Sequence, residues 1–340
     1  MAVFAARLFP DRPKGFSMRS HPSAMSQRSR DRSSSALPDA AGGLLSLIGN
    51  TPLIRLTRVT AHINPAVAVF AKAEWFNPGG SVKDRPASAI LQQALEAGAL
   101  GGGRVLLDST SGNMGIAYAT LASSLGLRLC LAVPSNVSPE RLAILRAHAV
   151  ELHLTDPTEG TDGARLVAAE LAAQDPERYF FADQYSNPAN WQAHFRTTGP
   201  EVVRQTQGQI THFVAGLGTT GTMTGTGRFL RQSAPSVRLV AVQPDGPLHG
   251  LEGLKHLATA RVPEIFDPAI PDETITVDTE SAYAMARRLA RTEGLLVGVS
   301  AAAAADAGLR VAERLESGTV VVIFPDSGLK YLGGSFWSAA

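Results

Sequence analysis

The sequence predicts an α/β fold with mostly parallel sheets, and three observations carry that prediction. From Gly43 onward, short β-rich runs alternate with helix-like stretches, the order that parallel sheets wrapped by helices require. Several of the runs are almost continuously apolar, as strands covered on both faces are. Three loops rich in Gly, Ser and Thr follow strands, where such sheets receive ligands.

The strands are expected at 104–107, 127–133, 150–154, 179–182, 212–215, 237–242 and 319–324. Helices are expected between them. The first, at 85–97, opens after a Gly-Gly-Ser turn, and the second, at 113–124, after a Gly turn. The third, at 139–147, has Ser138 as its N-cap, then Pro139 and Glu140, a sequence suited to a helix start. The patterns at 161–173, 222–231, 280–292 and 300–316 complete the set.

A chain of 340 residues can bury a large core, as one large or two medium domains. Its 31 basic residues face 30 acidic ones, so no charge excess calls for nucleic acid or a membrane surface. No stretch approaches the ~18–20 apolar residues of a membrane helix. The single cysteine, Cys130, lies in the apolar run 127–133. It excludes an internal disulfide, reads as a buried strand thiol, and fits a reducing compartment such as the cytoplasm. The eight histidines are scattered without metal-ligand spacing, so no metal site is expected.

Residues 1–40 hold seven Arg or Lys, three Asp and a Ser-rich stretch ending Ser33-Ser34-Ser35. Such a composition cannot form a core and is expected to be disordered. An organelle-targeting peptide shares the Arg and Ser, but Asp11 and Asp31 argue against one. A plain tail, or a start codon assigned too far upstream, accounts for the segment better. The short stretch after the last expected strand gives no expectation of an appended regulatory module.

Lys83 sits in Asn77-Pro78-Gly79-Gly80-Ser81-Val82-Lys83-Asp84-Arg85, where a glycine turn delivers one amine to the mouth of a helix. A lone lysine is ordinarily a solvated charge. A fixed one is what a carbonyl cofactor needs for a Schiff base, and the other loops decide between the two. In Ser109-Thr110-Ser111-Gly112-Asn113-Met114-Gly115, backbone N–H groups and hydroxyls converge at a helix start, a site for a carboxylate; the same pattern also serves as a plain tight turn. Gly216-Leu217-Gly218-Thr219-Thr220-Gly221-Thr222 contains the dinucleotide fingerprint, which raises an NAD-dependent oxidoreductase. The acidic residue expected about 20 residues further on is only loosely matched by Asp245. The hydroxyls of Thr219, Thr220 and Thr222 suit a compact phosphate monoester instead, and a helix N-terminus adds roughly 0.3–1 kcal/mol for an anion. In Gly298-Val299-Ser300 the hydroxyl either caps the next helix or faces a ligand. One lysine, one phosphate cup and one neutral hydroxyl are the handles of pyridoxal 5′-phosphate. The aldehyde is assigned to Lys83, the phosphate to the Thr loop and the ring nitrogen to Ser300. A neutral partner at that nitrogen favours β-elimination and replacement over transamination.

At these residues the chain resembles the cysteine synthase and cystathionine β-synthase family of fold-type II pyridoxal phosphate enzymes. The likeness runs from Ile48-Gly49-Asn50-Thr51-Pro52-Leu53 to Ser327-Gly328-Leu329-Lys330-Tyr331-Leu332. It takes in Ser81-Val82-Lys83-Asp84-Arg85, Thr110-Ser111-Gly112-Asn113 and Gln184-Tyr185-Ser186-Asn187-Pro188-Ala189-Asn190. It continues with Thr197-Thr198-Gly199-Pro200-Glu201 and Gly218-Thr219-Thr220-Gly221-Thr222. The Gly-Thr-Thr-Gly-Thr cup and Gln243-Pro244-Asp245 look most like the cysteine synthase B branch.

The resemblance implies two doubly wound domains in a tryptophan synthase β-subunit-like architecture. The first spans 41–185, with part of 41–75 able to pack on the other; the second spans 186–336. It implies β-replacement on an activated L-serine, O-acetylserine or O-phosphoserine, by sulfide or thiosulfate, giving L-cysteine or S-sulfocysteine. Lys83 would hold the cofactor and act as base at Cα. Asn113 would bond the cofactor's ring hydroxyl, Gly218, Thr219, Thr220, Gly221 and Thr222 its phosphate, and Ser300 its ring nitrogen. Thr110, Ser111, Asn113 and Gln184 would grip the amino acid carboxylate. Lys255 and His256 stand nearest to the arginines of thiosulfate users. Closure of the part carrying 111–114 would exclude water. A homodimer and the C-terminal tail of a serine acetyltransferase are the implied protein partners. Serine or threonine dehydratase and cystathionine β-synthase remain alternatives, as does a non-catalytic cofactor-holding partner protein.

The chain departs from the family pattern at Met114, at Ala301 and Ala302 after Ser300, and in Gly250-Leu251-Glu252-Gly253-Leu254-Lys255-His256, leaving the leaving group and nucleophile open. Outside the motifs, His194 reads as structural, Lys330 as a solvated charge and Trp75 as core. His249 and His256 read equally as surface groups or as contacts to the sulfur donor.

Overall fold

The computed structural model describes residues 43–110 and 112–338. The expectation of disorder at 1–40 and the role given to Ser111 lie outside the described residues.

Among the described residues the strands form two sheets. The first begins with a hairpin of β1 (Leu53–Leu56) and β2 (Val67–Ala73), antiparallel with Leu53 opposite Lys72. β2 then pairs in parallel with β10 (Gly318–Phe324). The sheet continues through β7 (His212–Gly216), β8 (Arg238–Pro244) and β9 (Glu273–Val277), all parallel. Its order is β1-β2-β10-β7-β8-β9. The second sheet is wholly parallel, in the order β5-β4-β3-β6. Its strands are β3 (Val105–Ser109), β4 (Arg128–Pro134), β5 (Glu151–Thr155) and β6 (Tyr179–Phe181).

Helices fill the connections. They are α1 (Asp84–Glu96), α2 (Asn113–Leu125), α3 (Pro139–Ala147), α4 (Gly160–Gln174), α5 (Pro188–Arg196), α6 (Thr198–Gln205), α7 (Gly221–Ser233), α8 (Thr279–Glu293) and α9 (Val299–Ala312). Local chemistry sets several boundaries. Ser138 Oγ accepts from Arg141 N, with Pro139 in the first turn of α3. Asn187 caps α5 through Ala189 N, and Asp278 caps α8 through Ser281 N. α2 stops at Gly126, whose φ of 67° is left-handed.

The α/β class read from the alternation is therefore the class observed, and the apolar runs Val105–Leu107 of β3 and Val320–Phe324 of β10 are buried throughout, as strands covered on both faces are. Cys130 is fully buried in β4, and burial pushes its thiol up to about 12. The alanines of α9 are explained by the same packing. A Cβ on Gly308 would fall 2.5 Å from Val322 of β10, so small residues let the helix lie close on the sheet. Ala301 and Ala302 are fully buried in that core and do not line the ligand cavity; their methyl groups pack the helix rather than crowd a cofactor. No helix among the described residues is long and apolar enough to cross a membrane.

Candidate active site

Lys83 is held by a loop with little freedom. Asn77 Nδ2 donates to the carbonyls of Glu74 (2.8 Å) and Ser81 (3.1 Å), while Asn77 Oδ1 accepts from Gly49 N. Val82 N donates to Pro325 O at 2.8 Å, joining the loop to the end of β10. Beneath it lies a buried ionic cluster. Arg85 spans Glu74 (2.7 Å) and Glu201 (2.7 Å), and Lys72 reaches Glu201 at 2.6 Å. Burial would raise the Glu201 carboxyl, but the hydrogen bonds and charge of Arg85, with those of Lys72, hold it at about 2.

Lys83 itself is the N-cap of α1. Its backbone N donates to Ser81 Oγ at 3.2 Å, and among the described residues no hydrogen bond or ion pair takes its Nζ. Burial lowers its pKa, while the charges of Asp326 and Glu74 oppose the shift. A buried amine so placed loses its proton more readily than a surface lysine.

The amine opens into a cavity of about 450 Å³ between the carboxyl ends of the two sheets. Its walls bring together Lys83, Thr110, Asn113, Gln184, Gly218, Thr219, Thr220, Thr222, Lys255 and Ser300. Gly221 is the first residue of α7, at the base of the cup. His256 does not line the cavity; its ring lies 2.9 Å from Thr259 Oγ1. His249 does line it, as do Met114 and, from the segment 250–256, Leu251, Glu252 and Gly253.

Each wall has a built geometry. Thr110 Oγ1 accepts from Gly112 N (3.0 Å) and Gly115 N (3.2 Å), folding the first Gly/Ser/Thr loop over the start of α2. Gln184 Nε2 donates to Ser109 O at 2.7 Å. In the second loop a Cβ on Gly218 would fall 2.2 Å from Gly253 O, so only glycine fits. Thr220 is left-handed, with φ 69°, a conformation that costs a non-glycine residue on the order of 1–3 kcal/mol and clusters at ligand clamps. Its hydroxyl is buried with no partner among the described residues. An orphan hydroxyl, converging threonines and the first amides of α7 form an anion cup that fits a phosphate monoester. Ser300 is not a helix cap: Gly298 occupies that position without a side-chain bond, and Ser300 faces the cavity instead.

Asp326 and Arg141 carried no signal in the sequence, and Lys330 and Tyr331 were given no part in the site. Lys330 is not a solvated charge; its Nζ lies 2.7 Å from Asn113 Oδ1 and also reaches the carbonyls of Gly79 and Gly80. Asn113 Nδ2 donates to Asp326 Oδ2 at 2.8 Å, and the same oxygen accepts from Tyr331 at 2.8 Å. Arg141 pairs with Glu252 and lies 5.1 Å over the Tyr331 ring. Lys255 is tied to Asp162 at 2.6 Å. Trp75 packs against the core, tilted on Phe324. His194 is buried between two threonines, in keeping with a structural role.

A cavity with one partnerless lysine amine and one phosphate cup fits pyridoxal phosphate, and comparison with known proteins agrees. The chain is 49% identical over 300 residues to a cysteine synthase of Aquifex aeolicus (strain VF5), covering 87% of this chain and 92% of that one. It is 41% identical over 285 residues to cysteine synthase B of Escherichia coli (strain K12), covering 84% and 92%. The structure of a cysteine synthase from Entamoeba histolytica superposes with a TM-score of 0.84 at 33% identity, covering 91% of this chain and 95% of that one. The family described as pyridoxal-phosphate dependent enzyme matches residues 44–326, and by that match, the cavity and the relatives, this chain belongs to it.

Proposed function

We propose that the chain carries out pyridoxal-phosphate-dependent β-replacement on an activated L-serine, making cysteine. The observation that carries this reading is the half-buried Lys83 amine, without a partner among the described residues, in one cavity with the Gly218–Thr222 cup and Ser300. The relatives named above are cysteine synthases. An oxidoreductase reading leaves Lys83 without a task.

When bound, pyridoxal phosphate supplies the electron sink that makes the Cα proton of the amino acid removable. The cup of Gly218, Thr219, Thr220, Gly221 and Thr222 would hold its phosphate, Ser300 its ring nitrogen, Asn113 its ring hydroxyl and Lys83 its aldehyde. The Lys83 amine accepts the Cα proton, and burial, which lowers its pKa, favours the unprotonated form that can do so. Thr110, Ser111, Asn113 and Gln184 receive the substrate carboxylate. Asn113 and Gln184 each spend one amide hydrogen on the protein and keep a second for a ligand. The Cβ–O bond breaks and the ester group leaves as acetate, sulfide adds at Cβ in its place, and Lys83 returns the proton to Cα.

The charge around the cavity favours one donor pair. Lys255 is neutralised by Asp162, and Arg141 is engaged by Glu252. With both cations already facing carboxylates, a neutral O-acetyl ester and sulfide suit the cavity better than O-phosphoserine or thiosulfate, whose extra negative charge would meet Glu252. His256, turned to Thr259 and away from the cavity lining, has no part in this reading. The test is a product assay with O-acetylserine and O-phosphoserine, each offered sulfide and then thiosulfate. Cysteine from the first pairing alone supports this reading; pyruvate without sulfur incorporation would make the protein a dehydratase.

The reading also places the boundary between two domains near residue 185, with closure of the part bearing α2 and α3 excluding water. It gives a cytoplasmic homodimer, for which the single reduced, buried Cys130 supports the compartment. The serine acetyltransferase tail as a partner rests on the family resemblance.

A further inference from the structure

The segments 184–190 and 197–201 carry motif residues for which the proposed reaction has no use. Two side chains from α5 stand directly behind the anion cup. Asn190 and His194 are one helical turn apart, each 1% exposed. Asn190 Nδ2 donates to Thr219 Oγ1 at 3.2 Å and to the Gln184 carbonyl at 2.7 Å. His194 Nε2 lies 3.3 Å from Thr222 Oγ1, and its Nδ1 lies 2.9 Å from Thr198 Oγ1. The fit is close: a Cβ on Gly221 would fall 2.0 Å from Asn190 Oδ1, and one on Gly225 2.8 Å from the His194 Cβ.

A threonine hydroxyl has one hydrogen to give. An amide nitrogen can only donate, so Thr219 Oγ1 accepts from Asn190 and its own hydrogen is left for a ligand. His194 is neutral, because burial pushes its pKa down to about 3, and so has one N–H. The ring contacts fit the tautomer with that N–H on Nε2, in which Thr198 donates to Nδ1 and Thr222 Oγ1 accepts. In that tautomer both hydroxyls of the cup keep their hydrogens for an arriving anion.

We propose that Asn190 and His194 are positioning residues that set the Thr219 and Thr222 hydroxyls as donors to the phosphate monoester. This inference rests on the cup being the cofactor's phosphate site. It also gives the amide of Asn190 a second task, since its bond to the Gln184 carbonyl ties the cup to the residue proposed to receive the substrate carboxylate.

The test titrates cofactor-free protein with pyridoxal phosphate and, separately, with pyridoxal, which lacks the phosphate. The variants are Asn190→Leu and His194→Phe, which remove the donors at similar size, and His194→Gln, which restores one. Thr222→Val, alone and combined with His194→Phe, reaches the same hydroxyl from the cup side. We expect each donor loss to weaken pyridoxal phosphate about tenfold, the effect of one hydrogen bond to a charged group. Pyridoxal binding should stay within about twofold, and His194→Gln should recover most of the loss. The double variant should bind no more weakly than Thr222→Val alone, and the ³¹P resonance of the bound phosphate should move in the donor-loss variants. Equal weakening of both ligands would reduce the pair to structural filler and overturn the proposal, as would unchanged pyridoxal phosphate binding in both variants. If wild-type protein bound pyridoxal as tightly as pyridoxal phosphate, the cup would not be a phosphate site, and the functional reading would fall with the proposal.

Discussion

Lys330 Nζ lies 2.7 Å from Asn113 Oδ1, across 217 residues of sequence. With Asp326 on the Asn113 amide nitrogen, a cation and a carboxylate from the last loop of the chain clamp the start of α2. The clamp fixes which way the Asn113 amide faces the cavity. Lys330→Met should therefore raise KM for the amino acid substrate about tenfold, the effect of one charge-assisted hydrogen bond, and leave kcat within about threefold. Steady-state kinetics check it, and an unchanged KM would show that Asn113 is held by other means.

The lysine loop stands on the cluster of Arg85, Glu74, Glu201 and Lys72. Removing one member of a buried ionic set leaves its partners uncompensated, at a cost of about 3–5 kcal/mol. Glu201→Ala strips a carboxylate from both Arg85 and Lys72, and a loss of that size is expected in the denaturant midpoint. The carboxylate, held at about 2, contributes stability that is present above its unfolded pKa near 4.5 and is lost as pH falls toward 2. The variant should therefore lose less stability than wild type on acidification through that window.

Asp108, at the end of β3 beneath the substrate loop, runs the other way. Burial raises its carboxyl to about 7, with the charge of Asp183 adding to the shift, against hydrogen bonds from Ser109 N and Gln184 N. The folded protein keeps a proton there that the unfolded chain releases above about 4. Its contribution is complete below that pH and is lost as pH rises through about 7. Asp108→Asn removes the ionisation, so its melting temperature should gain on that of wild type between pH 5 and pH 8, by a few degrees. Parallel melting curves across that range would count against the shift.

Gly218→Ala places a methyl group within 2.2 Å of the Gly253 carbonyl oxygen. Both atoms are backbone-bound, so one wall of the cup must move. The purified variant should carry less than a tenth of the wild-type cofactor while keeping its far-ultraviolet circular dichroism. Full cofactor content would mean that this wall does not set the cup.

The fold was legible where one physical signal dominated. Apolar runs marked β3, β4, β7, β8 and β10, and Ser138 with Pro139 marked the start of α3. β1 and β2 were missed: β1 is only four residues long and partly exposed, β2 interleaves alanines and Lys72 with its apolar residues, and its partner β10 lies some 250 residues away. β9 was missed for its polar alternation, Glu273-Thr274-Ile275-Thr276-Val277. α5 and α6 were read only as motif residues, since Pro188, Gly199 and Pro200 interrupt a helical pattern. At the site, loop glycines and threonines could be read because their chemistry is local. Lys330, Asp326, Tyr331 and Arg141 could not, because each acts through a partner far away in the chain. The Ser300 hydroxyl looked like a helix cap until the backbone of Gly298 took that place.

The central claim is that Lys83 holds pyridoxal phosphate and moves the Cα proton. The most direct measurement is the absorbance spectrum of the purified protein, wild type beside Lys83→Ala, with β-replacement assayed on both. Wild type should show a band at the border of the visible and near-ultraviolet, absent in the variant together with cysteine formation. A colourless wild type that is active, or a Lys83→Ala variant that keeps both band and activity, would contradict it.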